Sequence, residues 1–76
     1  MNYYEYFKKN EEGVLHNIAR MLASETIYSY DKVRNAVDKV AAIIDEATTD
    51  DPEEAASWII KASRQVLCIM NEEGLI

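Results

Sequence analysis

The 76-residue chain has little of what usually betrays a chemical function. It holds one cysteine (Cys68), one histidine (His16), one proline (Pro52) and one tryptophan (Trp58). A lone thiol excludes an intrachain disulfide, and one Cys with one His falls short of the four ligands of a structural zinc site. Long apolar runs are missing too. The longest, 40–44 (VAAII) and 66–70 (VLCIM), are far below the ~18–20 residues that span a bilayer, and the polar, aromatic start lacks the apolar stretch of a signal peptide. A lone thiol without an export signal sets the expectation of a reducing, cytoplasmic location and no membrane partner. There are no internal repeats or low-complexity segments, and the two glycines read as punctuation.

Positive charge is also scarce. Fourteen acids face eight bases, for a net charge of −6. The 45–54 decapeptide, DEATTDDPEE, carries six of those acids (Asp45, Glu46, Asp50, Asp51, Glu53, Glu54) and no base, so the other eight acids are balanced by eight bases. A basic face able to neutralise phosphates is not expected, which argues against nucleic-acid binding. Calcium-binding loops require alternating oxygen ligands, a turn glycine and a late Glu, and this stretch has neither the glycine nor the spacing. No metal or cofactor is expected.

Half of the residues are apolar (49%), as in a folded globular chain. Seventy-six residues allow one domain (1–76), and a chain this short gains stability through good helix packing or oligomerisation. The clearest helix runs over 30–47. Val33, Val37, Val40, Ile44 and Ala47 recur on one stripe, widened by Ala36, Ala41 and Ile43, with Ser29 at the N-cap and Asp31 in the first turn. The next helix opens on Asp51-Pro52-Glu53-Glu54: an N-cap Asp, Pro at the first helical position and Glu at the third, the pattern of a capping box. It is expected over 52–73, stopping at Gly74. Ala55, Ile59, Ala62, Val66 and Ile69 form one apolar row and Ala56, Ile60, Leu67 and Met70 its neighbour, so this helix is expected to lie centrally and pack on two sides.

The first half is less regular. Val14, Leu15, Ile18, Met21 and Leu22 mark a helix over 11–24, and Tyr3, Tyr4 and Phe7 share one helical face upstream. One helix running through Gly13 would cost about 1 kcal/mol. A break or bend near Asn10–Gly13, with a short additional helix over 2–9, is the preferred reading. The predicted fold is therefore all-α: a small three-helix bundle with an extra N-terminal helix and short connections that make neighbouring helices antiparallel.

Catalysis by His16 and Cys68 would need an orienting third group and oxyanion donors, and no such constellation is present. His16 reads as a surface residue and Cys68 as a small packed one. No enzymatic activity is expected. The aromatic segment 2–10, opening on NYYEYF, is the more unusual feature. Tyr4 and Phe7 are expected to close one end of the bundle, with Tyr28 or Tyr30 against them. Successive helical residues point around the axis, so Tyr6, with Tyr3, is left for recognition. Trp58, beside rather than on the main row of its helix, suits a core edge or an interface equally.

Asp45 and Glu46, expected in the last turn of the 30–47 helix, would oppose its dipole. That hints at a use beyond solvation for Asp45, Glu46, Asp50 and Asp51. The leading expectation is a small acidic protein that binds another protein as a regulator or inhibitor, of the kind phages and mobile elements direct at host machinery. The partner residues would be Tyr3, Tyr6, Tyr28, Trp58 and the acids 45–51. The alternatives are a self-associating homodimeric subunit that buries Trp58, Ile69 and the Leu75-Ile76 tail, and a nucleic-acid mimic built on the 45–54 acids.

Overall fold

The computed structural model describes residues 1–72. The expected helix stop at Gly74, position 73 and the Leu75-Ile76 pair lie outside the described residues. Four helices account for most of the chain: α1 (Tyr3–Asn10), α2 (Glu12–Glu25), α3 (Tyr30–Ile43) and α4 (Pro52–Glu72). The all-α bundle and the separate N-terminal helix are as the sequence predicts.

The helix boundaries follow local chemistry. The Asn2 side chain caps α1 by accepting the Glu5 N–H at 3.0 Å. The break after α1 falls on Glu11, whose backbone leaves the helical region (φ −150°, ψ 60°). The Glu11 N–H still donates to Phe7 O at 2.9 Å, and the Glu11 carbonyl already accepts the Val14 N–H at 3.0 Å. One residue thus closes one helix and opens the next. Gly13 lies inside α2 with open space around it, so the bend does not depend on its small size.

At α4 the Asp51 carboxylate accepts the Glu53 N–H at 3.0 Å, and Pro52 occupies the first helical position. The reciprocal arm of the expected capping box is replaced. The Asp51 N–H goes to Thr49 Oγ1 at 3.2 Å, while the Glu54 carboxylate accepts from Trp58 Nε1 at 3.4 Å. Ser29 occupies the N-cap position of α3 and accepts the Val33 N–H through its backbone at 3.1 Å, without a side-chain bond.

The helices form three columns. α1 and the first half of α2 run together, and α3 returns along them. Tyr3 N–H donates to Ile44 O at 2.9 Å, Arg34 reaches Glu12 at 3.5 Å, and the Tyr30 hydroxyl meets His16 Nδ1 at 3.0 Å, so rising numbers on one side pair with falling numbers on the other. α4 starts beside Tyr3, whose hydroxyl donates to Thr49 O at 2.6 Å, and reaches the far end of α2 at the Arg64–Glu25 ion pair (3.0 Å). It is antiparallel to α3. The expected sequence of antiparallel neighbours therefore fails at α1–α2, where a one-residue connection continues the same direction. The molecule measures 35 × 21 × 15 Å between Cα extremes.

The central helix is α3, which packs on α1, α2 and α4; the expectation that the last helix is central is corrected. Val33, Val37, Val40 and Ala41 of α3 meet Phe7, Leu15, Ile18, Leu22, Ile59 and Leu67 in one core. Among the described side chains of α4, Ala55, Ile59, Ser63 and Leu67, spaced by four, are buried, whereas Val66 and Ile69 of the expected core row are exposed. The reason is architectural: among the described residues α4 has packed neighbours on one side of its broad apolar arc and none on the other.

Candidate protein-interaction surface

The residues singled out from sequence separate into two groups. Tyr3 belongs to the core, at 3% exposure, and corrects the expectation that it is left for recognition. Its ring packs with Phe7 (5.8 Å between centroids) and edge-on with Tyr6 (5.7 Å). Burial raises the pKa of its phenol, and the carboxylates of Glu46, Asp50 and Asp51 raise it further. Tyr6 is half-buried against Tyr3 and Phe7. Tyr4, expected to close the bundle, is also only half-buried, and Lys8 Nζ stands 5.3 Å from its ring centroid.

Tyr28 is buried too, beside Arg64 and Leu67, and among the described residues neither its ring nor that of Tyr30 stacks on the N-terminal aromatics. Its hydroxyl, like that of Ser63, is buried without a hydrogen-bond partner. Tyr30 instead joins a network along the seam between α3 and α2. Arg34 donates through Nε to Asp38 (2.8 Å) and through Nη1 to the Tyr30 oxygen (3.0 Å), which stands 3.0 Å from His16 Nδ1. The Asp38 carboxylate, with help from Tyr30, raises the pKa of Arg34 well beyond its ordinary value. The guanidinium is a structural clamp, held by residues of both α2 and α3.

The acidic segment is largely explained by turn chemistry. α3 ends at Ile43, four residues earlier than expected, so Asp45 and Glu46 do not sit in a helical last turn. Asp45 Oδ1 accepts the N–H groups of Ala47 (3.0 Å) and Thr48 (3.3 Å), an Asx-type turn, and its backbone bridges to Asn2. Asp51 caps α4. Glu46 and Asp50 remain exposed. Asp45 and Glu46 therefore do not oppose the α3 dipole from within its last turn. Cys68 is exposed rather than packed, and His16 is exposed as expected. Among the described residues no three His, Cys, Asp or Glu side chains gather as a metal site requires, and no helix is long and apolar enough to cross a membrane.

What the structure brings together instead is an apolar face across α3 and α4. Ile43 is 78% exposed, Trp58 49%, Ile69 45% and Val66 38%. Trp58, Ala62, Val66 and Ile69 follow the i, i+4, i+8, i+11 spacing of one helical stripe. Val66 and Met70 form one wall of a groove whose other wall is the α3 edge carrying Ala36, Val40 and Ile43. Of the residues picked from sequence as partner-binding, Trp58 alone lies on this face. In the sequence Ile43 and Val66 read as core because each falls on or beside an apolar helical stripe. Periodicity tells how wide a stripe is, not how many neighbours cover it.

Comparison with family models, with curated proteins and with solved structures finds no match for this chain.

Proposed function

We propose that this chain is a non-enzymatic binding protein that acts by occupying a partner protein's surface through the α3–α4 face. The observation that carries this reading is the exposure of four large apolar side chains on α3 and α4, Ile43, Trp58, Val66 and Ile69, of which Ile43 and Val66 line one groove. Contiguous exposed apolar area is what distinguishes an interaction site from scattered surface leucines. Trp58 adds an aromatic anchor of the type enriched at binding hot spots. A regulator or inhibitor working in the cytoplasm, as phages and mobile elements encode, is the class we favour, because the chain offers a surface and no assembled reactive groups. The tyrosines carry less of this reading than the sequence alone implies, since Tyr3 and Tyr28 are spent on the core.

The test is an affinity capture from host lysate with three proteins: wild type, Ile43→Glu/Val66→Glu, and Tyr6→Ala. Partners retained by wild type and Tyr6→Ala but lost by the double variant are the expected result. Equal recovery by all three sinks the assignment of this face.

A further inference from the structure

From the charge and dimensions of the groove we infer that its occupant is an amphipathic α-helix with acidic flanks; this inference rests on the protein-binding reading above and names the partner's chemistry. The floor is apolar and adaptable, with Val40 and Ala36 on one side and Val66 and Met70 on the other. Methionine in such a floor accommodates varied side chains. The groove holds about 290 Å³ and follows α3 from Lys32 to Ile43. The eleven steps from Lys32 to Ile43 rise about 16 Å, which matches roughly three turns of a helix laid alongside and anchored at i, i+4 and i+7.

The charge on this groove is opposite to that of the molecule. The chain carries −6, yet the ionisable residues that line the groove are Lys32 and Lys39, with no acid among the described lining residues. Neither lysine is within ion-pair distance of a carboxylate among the described residues, whereas Arg34, one helix face away, is held by Asp38 and Glu12. The two lysines are seven residues apart, so both stand on the same edge of α3, two turns from each other. A partner helix carrying Asp or Glu seven residues apart, beside its apolar row, would meet both. Lysine stems would also extend the apolar wall while their ammonium groups stay at the rim.

A second copy of this chain is a poorer occupant. An antiparallel two-fold that lays this face on itself sets α3 across α3, so groove lysines face groove lysines. A parallel two-fold separates them but gathers both 45–54 acidic segments at one end. Like charges meet in either arrangement, and such contacts weigh against an interface.

The test uses synthetic helical peptides of about 18 residues, long enough for partial helicity in isolation. One has a leucine row at i, i+4, i+7 and i+11 flanked by glutamates seven apart. A second has lysines in place of those glutamates, and a third scatters the leucines at the same composition. Binding is read from the fluorescence of Trp58, the single tryptophan, at the edge of the face, and from amide shifts of Lys32, Lys39, Val66 and Met70. The glutamate-flanked peptide is expected to bind at least tenfold more tightly than the lysine-flanked one, with the difference shrinking in high salt. Lys32→Glu/Lys39→Glu should reverse the preference. These exposed substitutions leave the core intact, which circular dichroism verifies.

Indifference to flank charge, absence of binding, or equal binding of the scattered peptide overturns the inference. So does a concentration-dependent dimer in sedimentation that Val66→Glu abolishes, since the face then belongs to a second copy. If the peptides fail while Ile43→Glu/Val66→Glu still loses its lysate partners, the acidic helix falls and the protein-binding reading stands. If that variant keeps every partner, both fall.

Discussion

The two sides of α3 are treated differently by the rest of the chain. Toward α1 and α2 its residues are saturated: Val33 and Val37 are buried, Arg34 and Tyr30 are held in a hydrogen-bond network, and Phe7 of α1 is almost fully enclosed in the same core. Toward the open edge shared with α4, Ile43 stands in solvent and two lysines have no ion pair among the described residues. The same helix thus supplies structure on one side and an unsatisfied surface on the other. The difference teaches where selection for folding ends: a stability argument accounts for the first side and has no use for the second.

Substitutions can break this contrast, and the largest effect should come from the saturated side. Phe7→Ala removes a fully buried ring from a small core and should cost about 3–5 kcal/mol. For a chain of this size that is much of the folding free energy, so a urea melt should show a strongly lowered midpoint or no cooperative transition.

Tyr3→Phe keeps the ring and deletes the 2.6 Å hydrogen bond to Thr49 O, for an expected loss of about 1 kcal/mol at neutral pH. It also sharpens the electrostatic side. The folded phenol has a pKa raised above the unfolded value of about 10. Its contribution is therefore fully present below pH 10 and is lost as pH rises through the folded value. Wild type should lose stability more steeply than Tyr3→Phe above pH 10 in alkaline denaturation.

The smallest effect is expected on the open side. Ile43→Ser should shift the urea midpoint within the error of about 0.5 kcal/mol typical of surface positions. A large loss there would show that Ile43 is part of the fold's own support and would blur the contrast between the two sides.

Much of this fold was legible in the sequence. The valine row of α3, the Asp-Pro start of α4 and the break near residue 11 each rest on a local rule that tertiary structure left alone. The errors share one origin. The 30–47 pattern carried the helix through Ala47 because Ala47 keeps the period, whereas Asp45 and its Asx turn, joined to Asn2, end it at Ile43. Val66 and Ile69 read as core because the apolar arc of α4 is broad, and no periodicity states that, among the described residues, α4 packs mainly on α3 and less on α2. Tyr3 and Tyr4 were exchanged for a similar reason. Adjacent aromatics on one face compete for the core, and Tyr3 is favoured by the Thr49 carbonyl, which lies 46 residues away. The surface was the least legible part, since it is defined by what fails to cover it.

The double attachment of Tyr3, by its amide to Ile44 and by its hydroxyl to Thr49, ties the start of α1 to the α3–α4 connection. Terminal residues commonly fray first and exchange their amide protons fastest. Here the third residue locks a segment more than forty positions downstream, so its amide is released only when the α3–α4 connection lets go. The exchange rate of that one proton reports whether the ends of the bundle are clasped. A tag or extension that crowds Asn2 and Tyr3 acts on the loop at 44–49 as directly as a substitution within it.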